Sequence, residues 1–216
     1  SFPTRRSSDL LRLTLLWQVV DPSVVPADGQ IGLELIAADG TLLWQQTTLI
    51  APTYPTAQWQ ADDRLRTEVL LRLPASLPPG EHIWHVRLSP PNTAIWPIGP
   101  LRLKAIDRLW TPPAIALPHN TPLGEVATFL GANVSAAQLA PGTPLQVALV
   151  WRSEAETSDS YRVFLHLLGP DGQLLTQSDS EPADWSRPTT GWLPGEMIVD
   201  ERVLFLPDNL AAGEYT

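Results

Sequence analysis

The 216-residue chain has no cysteine and one methionine, and its 14 lysines and arginines stand against 23 aspartates and glutamates. Without cysteine there is no disulfide frame, no thiol nucleophile and no zinc–thiolate site. A formal net charge of −9 argues against nucleic acid as a partner, because phosphate binding needs a basic face. No apolar run approaches the roughly 20 residues that cross a bilayer. No segment carries three turns of an amphipathic helical stripe. There is no Gly-x-Ser-x-Gly, no P-loop and no dinucleotide fingerprint. The four histidines, His82, His85, His119 and His166, are scattered without metal-ligand spacing.

Proline is abundant, with 23 residues, and it interrupts runs of alternating apolar residues along the whole chain. The chain also repeats itself. Leu11-Arg-Leu-Thr-Leu-Leu-Trp17 is matched by Leu145-Gln-Val-Ala-Leu-Val-Trp151, 134 positions later. Asp39-Gly40 with Gln45 returns as Asp171-Gly172 with Gln177, at an offset of 132. Pro55-Thr56 with Trp59 returns as Pro188-Thr189 with Trp192, at 133, and Leu73 to Glu81 returns as Leu206 to Glu214, again at 133. Four blocks in one order describe a tandem duplication.

Within each copy, Leu11, Leu13, Leu15 and Trp17 alternate with outward residues, as do Leu145, Val147, Leu149 and Trp151. Tyr161–Leu168, the Gly169-Pro-Asp-Gly172 turn and Gln173–Gln177 spell a hairpin, with a twin at Ile31–Gln46. Short strands at this spacing predict an all-β fold of two tandem antiparallel immunoglobulin-like β-sandwiches, each large enough to hold a core. Their expected bounds are 11–105 and 123–216, with a proline-rich linker over 106–122. Both are expected to be incomplete at a chain end. The first lacks an equivalent of Ala127–Asn133, and the second stops at Thr216, where the counterpart of His82–Leu88 would follow. Residues 1–10 have no counterpart in the second copy and resemble a translated ligation adapter from short-read sequencing, so they are set aside as non-native.

Candidate binding residues cluster where the copies differ. Trp185 and Trp192, with Arg187, Asp184 and Asp179, form an aromatic and polar set of the kind that holds a sugar ring, and Trp59 is the first-copy counterpart of Trp192. The competing reading of Trp59 and Trp192 is a loop tryptophan folded over the end of the sandwich. Asp179–Asp184 is the one run that could attempt a calcium loop. No catalytic residue, metal site or cofactor is assigned. A hydrolase would need a cleft with two carboxylates about 5 to 10 Å apart, and no pair is nominated.

The second copy carries a longer signature: Trp151-Arg152, Tyr161-x-Val-Phe-x-His-Leu167, Asp171-Gly-x-Leu-x-x-Gln177, Asp179-Ser-x-Pro182, Arg187-Pro-Thr-x-x-Trp-x-Pro-Gly-Glu196, Asp200, and Gly213-Glu-Tyr215. This resembles the extracytoplasmic β-sandwich tails of bacterial membrane glycosyltransferases of the family-39, dolichyl-phosphate-mannose mannosyltransferase-like group. The first copy departs from it, with Gly32-Leu-Glu-Leu35 in place of Val-Phe-x-His and no arginine before Pro55. The resemblance implies a non-catalytic accessory region outside a bacterial membrane, partnered with a membrane-spanning catalytic domain and serving glycan or glycolipid recognition. The alternative is a structural spacer or protein-interaction module without sugar affinity.

Overall fold

The computed structural model describes residues 10–25, 29–88, 95–136 and 138–216, which divide into two compact units, 10–106 and 107–216. Both are built of antiparallel strands, because alternating apolar residues suit a half-buried pleat and turn residues end each run. Helical segments among the described residues are short 3-10 turns, none long and apolar enough to cross a membrane.

The first unit contains β1 (Leu10–Gln18), β2 (Gln30–Ala37), β3 (Leu42–Leu49), β4 (Arg64–Arg72), β5 (Gly80–Leu88) and β6 (Ile95–Leu103). Strand β1 pairs with β4, and the other four form a sheet in the order β3-β2-β5-β6. One core joins both sheets: Ile31, Leu33 and Leu35 from β2, Val69 and Leu71 from β4, and Trp84 and Val86 from β5. Leu11, Leu13, Leu15 and Trp17 pack against it, so the alternation read in β1 does mark an inward face. Burial of each such side chain contributes about 1.5–3 kcal/mol relative to exposure.

The second unit contains β7 (Leu117–Leu123), β8 (Ala127–Val134), β9 (Pro144–Ser153), β10 (Val163–Leu168), β11 (Leu174–Ser180) and β12 (Met197–Phe205). Its sheets are β12-β9-β8-β7 and the pair β10-β11. Val147, Leu149 and Trp151 from β9, Ala127 from β8, Ile198 from β12 and Trp192 make the core, with Val163 and Leu165 of β10 against it. From Asp107 on, the proline-rich stretch read as a connector is laid on this unit. Leu109 bridges Met197, the Asn133 side chain bonds the backbone of Ala114 and Ala116, and β7 joins the sheet.

The duplication is reproduced to the level of register. Leu15 opposes Thr67 and Trp17 opposes Leu65, as Leu149 opposes Asp200 and Trp151 opposes Ile198. The β2–β3 ladder shifts between Leu35 and Ile36, and the β10–β11 ladder shifts at the equivalent Leu167 and Leu168. In both turns aspartate Oδ1 accepts a backbone N–H two residues on, Asp39 from Thr41 and Asp171 from Gln173. Gly40 and Gly172 follow with φ of 89° and 76°, which glycine adopts without steric cost.

Among the described residues, β5 and β6 lie beside β2 in the first unit, and β8 and β7 lie beside β9 in the second. The β7–β8 pairing depends on Gly131, at φ 138°, where a Cβ would overlap the Leu117 carbonyl oxygen and lie 2.7 Å from Ile115 Cγ2. Gly131→Ala is therefore expected to push β7 off β8 and destabilise the second unit by about 1–3 kcal/mol. Urea denaturation checks this: a midpoint within error of the parent's would contradict it.

Candidate functional site

The Pro-Thr-x-x-Trp motif folds identically in both units, and its geometry explains why it is repeated. Each proline precedes a 3-10 turn, Thr56–Gln58 or Thr189–Gly191. The threonine hydroxyl accepts a backbone N–H from the segment entering β2 or β10, from Gly29 at 2.9 Å in one unit and Tyr161 at 3.0 Å in the other. The tryptophan N–H donates to a carbonyl five residues back, Trp59 to Tyr54 at 3.0 Å and Trp192 to Arg187 at 2.8 Å. The rings enter the core, with Trp59 8% and Trp192 2% exposed. These two candidates therefore have no free face for a sugar ring. The loop-tryptophan alternative describes their packing.

The next residues extend the parallel, which the sequence did not reveal. Asp63 accepts from the Gln60 N–H and the Tyr54 hydroxyl, and Glu196 accepts from the equivalent Leu193 N–H and from Arg187. Asp62, at φ 68°, holds the left-handed position that Gly195 takes at φ 83°. Ala61-Asp62-Asp63 thus stands where the second copy has Pro194-Gly195-Glu196. Burial, together with the bond to Asp63, holds the Tyr54 phenol above its ordinary pKa. Glu196 is fully buried and also bonds Arg108, which reaches the Gly191 carbonyl at 3.1 Å. Arg187 is accordingly spent on an internal pair with Glu196, and it also donates to the Asp107 carbonyl at 3.4 Å.

Between β11 and this motif the second unit has a loop with no equivalent geometry among the described residues of the first. Ala183, Asp184 and Trp185 have φ of 51°, 49° and 69°, three consecutive non-glycine residues in the left-handed region. Each costs of order 1–2 kcal/mol unless the surroundings enforce it. Here the Ala183 N–H donates to Asp200 Oδ1 at 2.7 Å, and Trp185 N–H to the Glu181 carbonyl at 3.2 Å. Asp200 is itself held by Arg202, whose guanidinium donates to both its oxygens, at 2.6 and 2.9 Å, and to the carbonyls of Ser178, Ser180 and Glu181. In the first unit the same two positions are Thr67 and Val69, and this clamp is absent there.

The clamped turn carries Trp185 and Asp184 to the surface, and Arg162 lies over the Trp185 ring, 5.0 Å from its centroid. Arg162 precedes β10 in phase with the outward residues Phe164, 64% exposed, and His166. The Phe164 and His166 rings meet edge to face at 6.2 Å, and His166 Nε2 is 3.4 Å from half-buried Asp179 on β11. Of the six candidates, then, Trp185, Asp184 and Asp179 belong to this surface, with Arg162, Phe164 and His166, which the sequence reading did not nominate. Their signal was the alternation of 162, 164 and 166 along a strand. In the first unit the places of Phe164 and His166 are taken by Gly32 and by Glu34, which pairs with Arg87. Among the described residues, no three histidine, aspartate or glutamate side chains gather as a metal-ligand set. No protein-family model matches the chain, and neither a curated protein nor a solved structure does.

Proposed function

We propose that the chain is a non-catalytic accessory region of immunoglobulin-like β-sandwich modules, and that its second unit recognises a glycan or glycolipid. The observation that carries this is the strip formed by exposed Arg162, Phe164 and His166 with half-buried Asp179 beside them, and with Trp185 stacked on Arg162. An aromatic face offers a surface to the CH groups of a sugar, and adjacent charged and imidazole groups offer partners to its hydroxyls. A strained turn locked from beneath by a buried ion pair supports a presented surface over an incidental one. The likeness of the second copy to glycosyltransferase tails supports placing it on the extracytoplasmic side of a bacterial membrane, next to a membrane-spanning catalytic domain that uses a lipid-linked sugar.

A spacer or protein-docking module is the second reading, favoured by one observation: the Arg162 guanidinium already covers a face of the Trp185 ring. A glycan-binding screen on the full chain separates the two, with Trp185→Ala and Phe164→Ala as controls. Recognition predicts millimolar or tighter binding that falls about tenfold in either variant while the melting temperature stays within a few degrees. Folded protein that binds no sugar at millimolar concentration supports the spacer.

A further inference from the structure

We infer that the strip on the second unit selects a sugar that bears a carboxylate, a uronate, and that Arg162 is the residue that reads the charge. The inference rests on the sugar-binding reading above and adds to it the chemical class of the ligand. It follows from how the unit uses its cations. Residues 107–216 contain no lysine and five arginines, Arg108, Arg152, Arg162, Arg187 and Arg202. Arg108 and Arg187 pair with Glu196, Arg152 pairs with Glu154, and Arg202 pairs with Asp200. Among the described residues, Arg162 alone of the five has no carboxylate partner, and the Trp185 ring holds it instead.

A guanidinium lying on an aromatic face keeps its N–H fork free at the edge, and that fork matches the two oxygens of a carboxylate. Trp185 is itself fixed, because Asp200 holds the turn at Ala183 from beneath. The fork is therefore set before a ligand arrives, which lowers the entropic cost of binding. Arg162 and Phe164 are two residues apart on one face, about 7 Å along the chain, so a ring seated on Phe164 brings a substituent at one end to Arg162. Across the β10–β11 ladder Asp179 opposes Phe164 and exposed Gln177 opposes His166. Asp179 repels an anion on its own side, while His166 and Gln177 offer partners to hydroxyls at the other end. The ring is thus oriented with its charge toward Arg162. Charge balance favours a carboxylate over a phosphate. One guanidinium matches one monoanion, and a chain of formal net charge −9 opposes a dianion with a single cation to offset it.

The test is an amide-resonance titration of the full chain with oligosaccharides of galacturonate, glucuronate and mannuronate, the methyl ester of each, neutral oligosaccharides and glucose 1-phosphate. At least one uronate is expected to bind with a Kd of about 1 mM or tighter, and about tenfold more tightly than its own methyl ester, which keeps the ring and loses the charge. Arg162→Gln should remove that preference and leave ester binding within about twofold, with the melting temperature within a few degrees of the parent's. Phe164→Ala should weaken acid and ester together. Equal binding of acid and ester, or a preference that survives Arg162→Gln, would overturn the inference. Tighter binding of glucose 1-phosphate than of every uronate would overturn it too, by assigning Arg162 to a phosphate. If neutral sugars bind and no uronate does, only the inference falls. If no sugar binds at millimolar concentration, the reading on which it rests falls with it.

Discussion

Asp200→Ala is expected to lower the stability of the second unit by about 3–5 kcal/mol, because it strands a buried guanidinium. The Arg202 side chain is 1% exposed and Asp200 is 0% exposed, so neither can turn to water without breaking the packing around β12. The remaining carbonyl partners of Arg202, on Ser178, Ser180 and Glu181, accept hydrogen bonds but do not cancel its charge. The substitution also removes the acceptor that holds Ala183 N–H, and with it the restraint on the left-handed run to Trp185. Urea denaturation followed by amide resonances of both units checks this, since the first unit's resonances should keep their parental midpoint. Replacing the pair together, Asp200→Leu with Arg202→Met, should recover most of the loss, since an apolar pair of similar volume carries no desolvation cost. A loss below about 1 kcal/mol in the single variant would show that the clamp is not what fixes the loop.

Trp192→Ala and Trp59→Ala should each cost their own unit about 3–5 kcal/mol, through the cavity left in the core and the lost staple to the carbonyl behind it. The two are equivalent in burial, in the hydrogen bond of the ring N–H and in the 3-10 turn before them, so their effects should be similar. Trp185→Ala, at a side chain 37% exposed, should stay within about 0.5 kcal/mol of the parent. Thermal melts of the three variants decide this. A mild effect at Trp192 with a large one at Trp185 would mean that Trp185, and not Trp192, belongs to the core. The contrast also bears on any binding study, in which loss of affinity in Trp192→Ala would report unfolding, and only Trp185 or Phe164 can report contact.

Much of the fold could be read from local pattern. The alternation of Leu11, Leu13, Leu15 and Trp17, the Asp-Gly turns and the proline stops are determined by residues a few positions apart, and such signals survive into the structure unchanged. The candidate site was less legible. Phe164 in Val-Phe-x-His has the composition of a core residue, yet it stands 64% exposed, because strand parity fixes only that it points to the other face from Leu165 and not which face is filled. By sequence, Arg187 belongs to the candidate sugar-binding set, while Trp192 fits either that set or a loop tryptophan folded over the end of the sandwich. Their burial depends on Glu196 and, from 88 positions before that acid, Arg108.

By itself, then, the sequence determined the all-β class, the duplication with its matching turns, and which residues of each strand share a face, since all of these rest on the period of two and on turn chemistry. Tertiary structure alone decided which loop residues plug the core, which are consumed in buried ion pairs and which reach the surface. The physical reason is that burial and charge pairing are properties of neighbours brought together from distant positions, and a strand's own residues do not encode what lies along its edge.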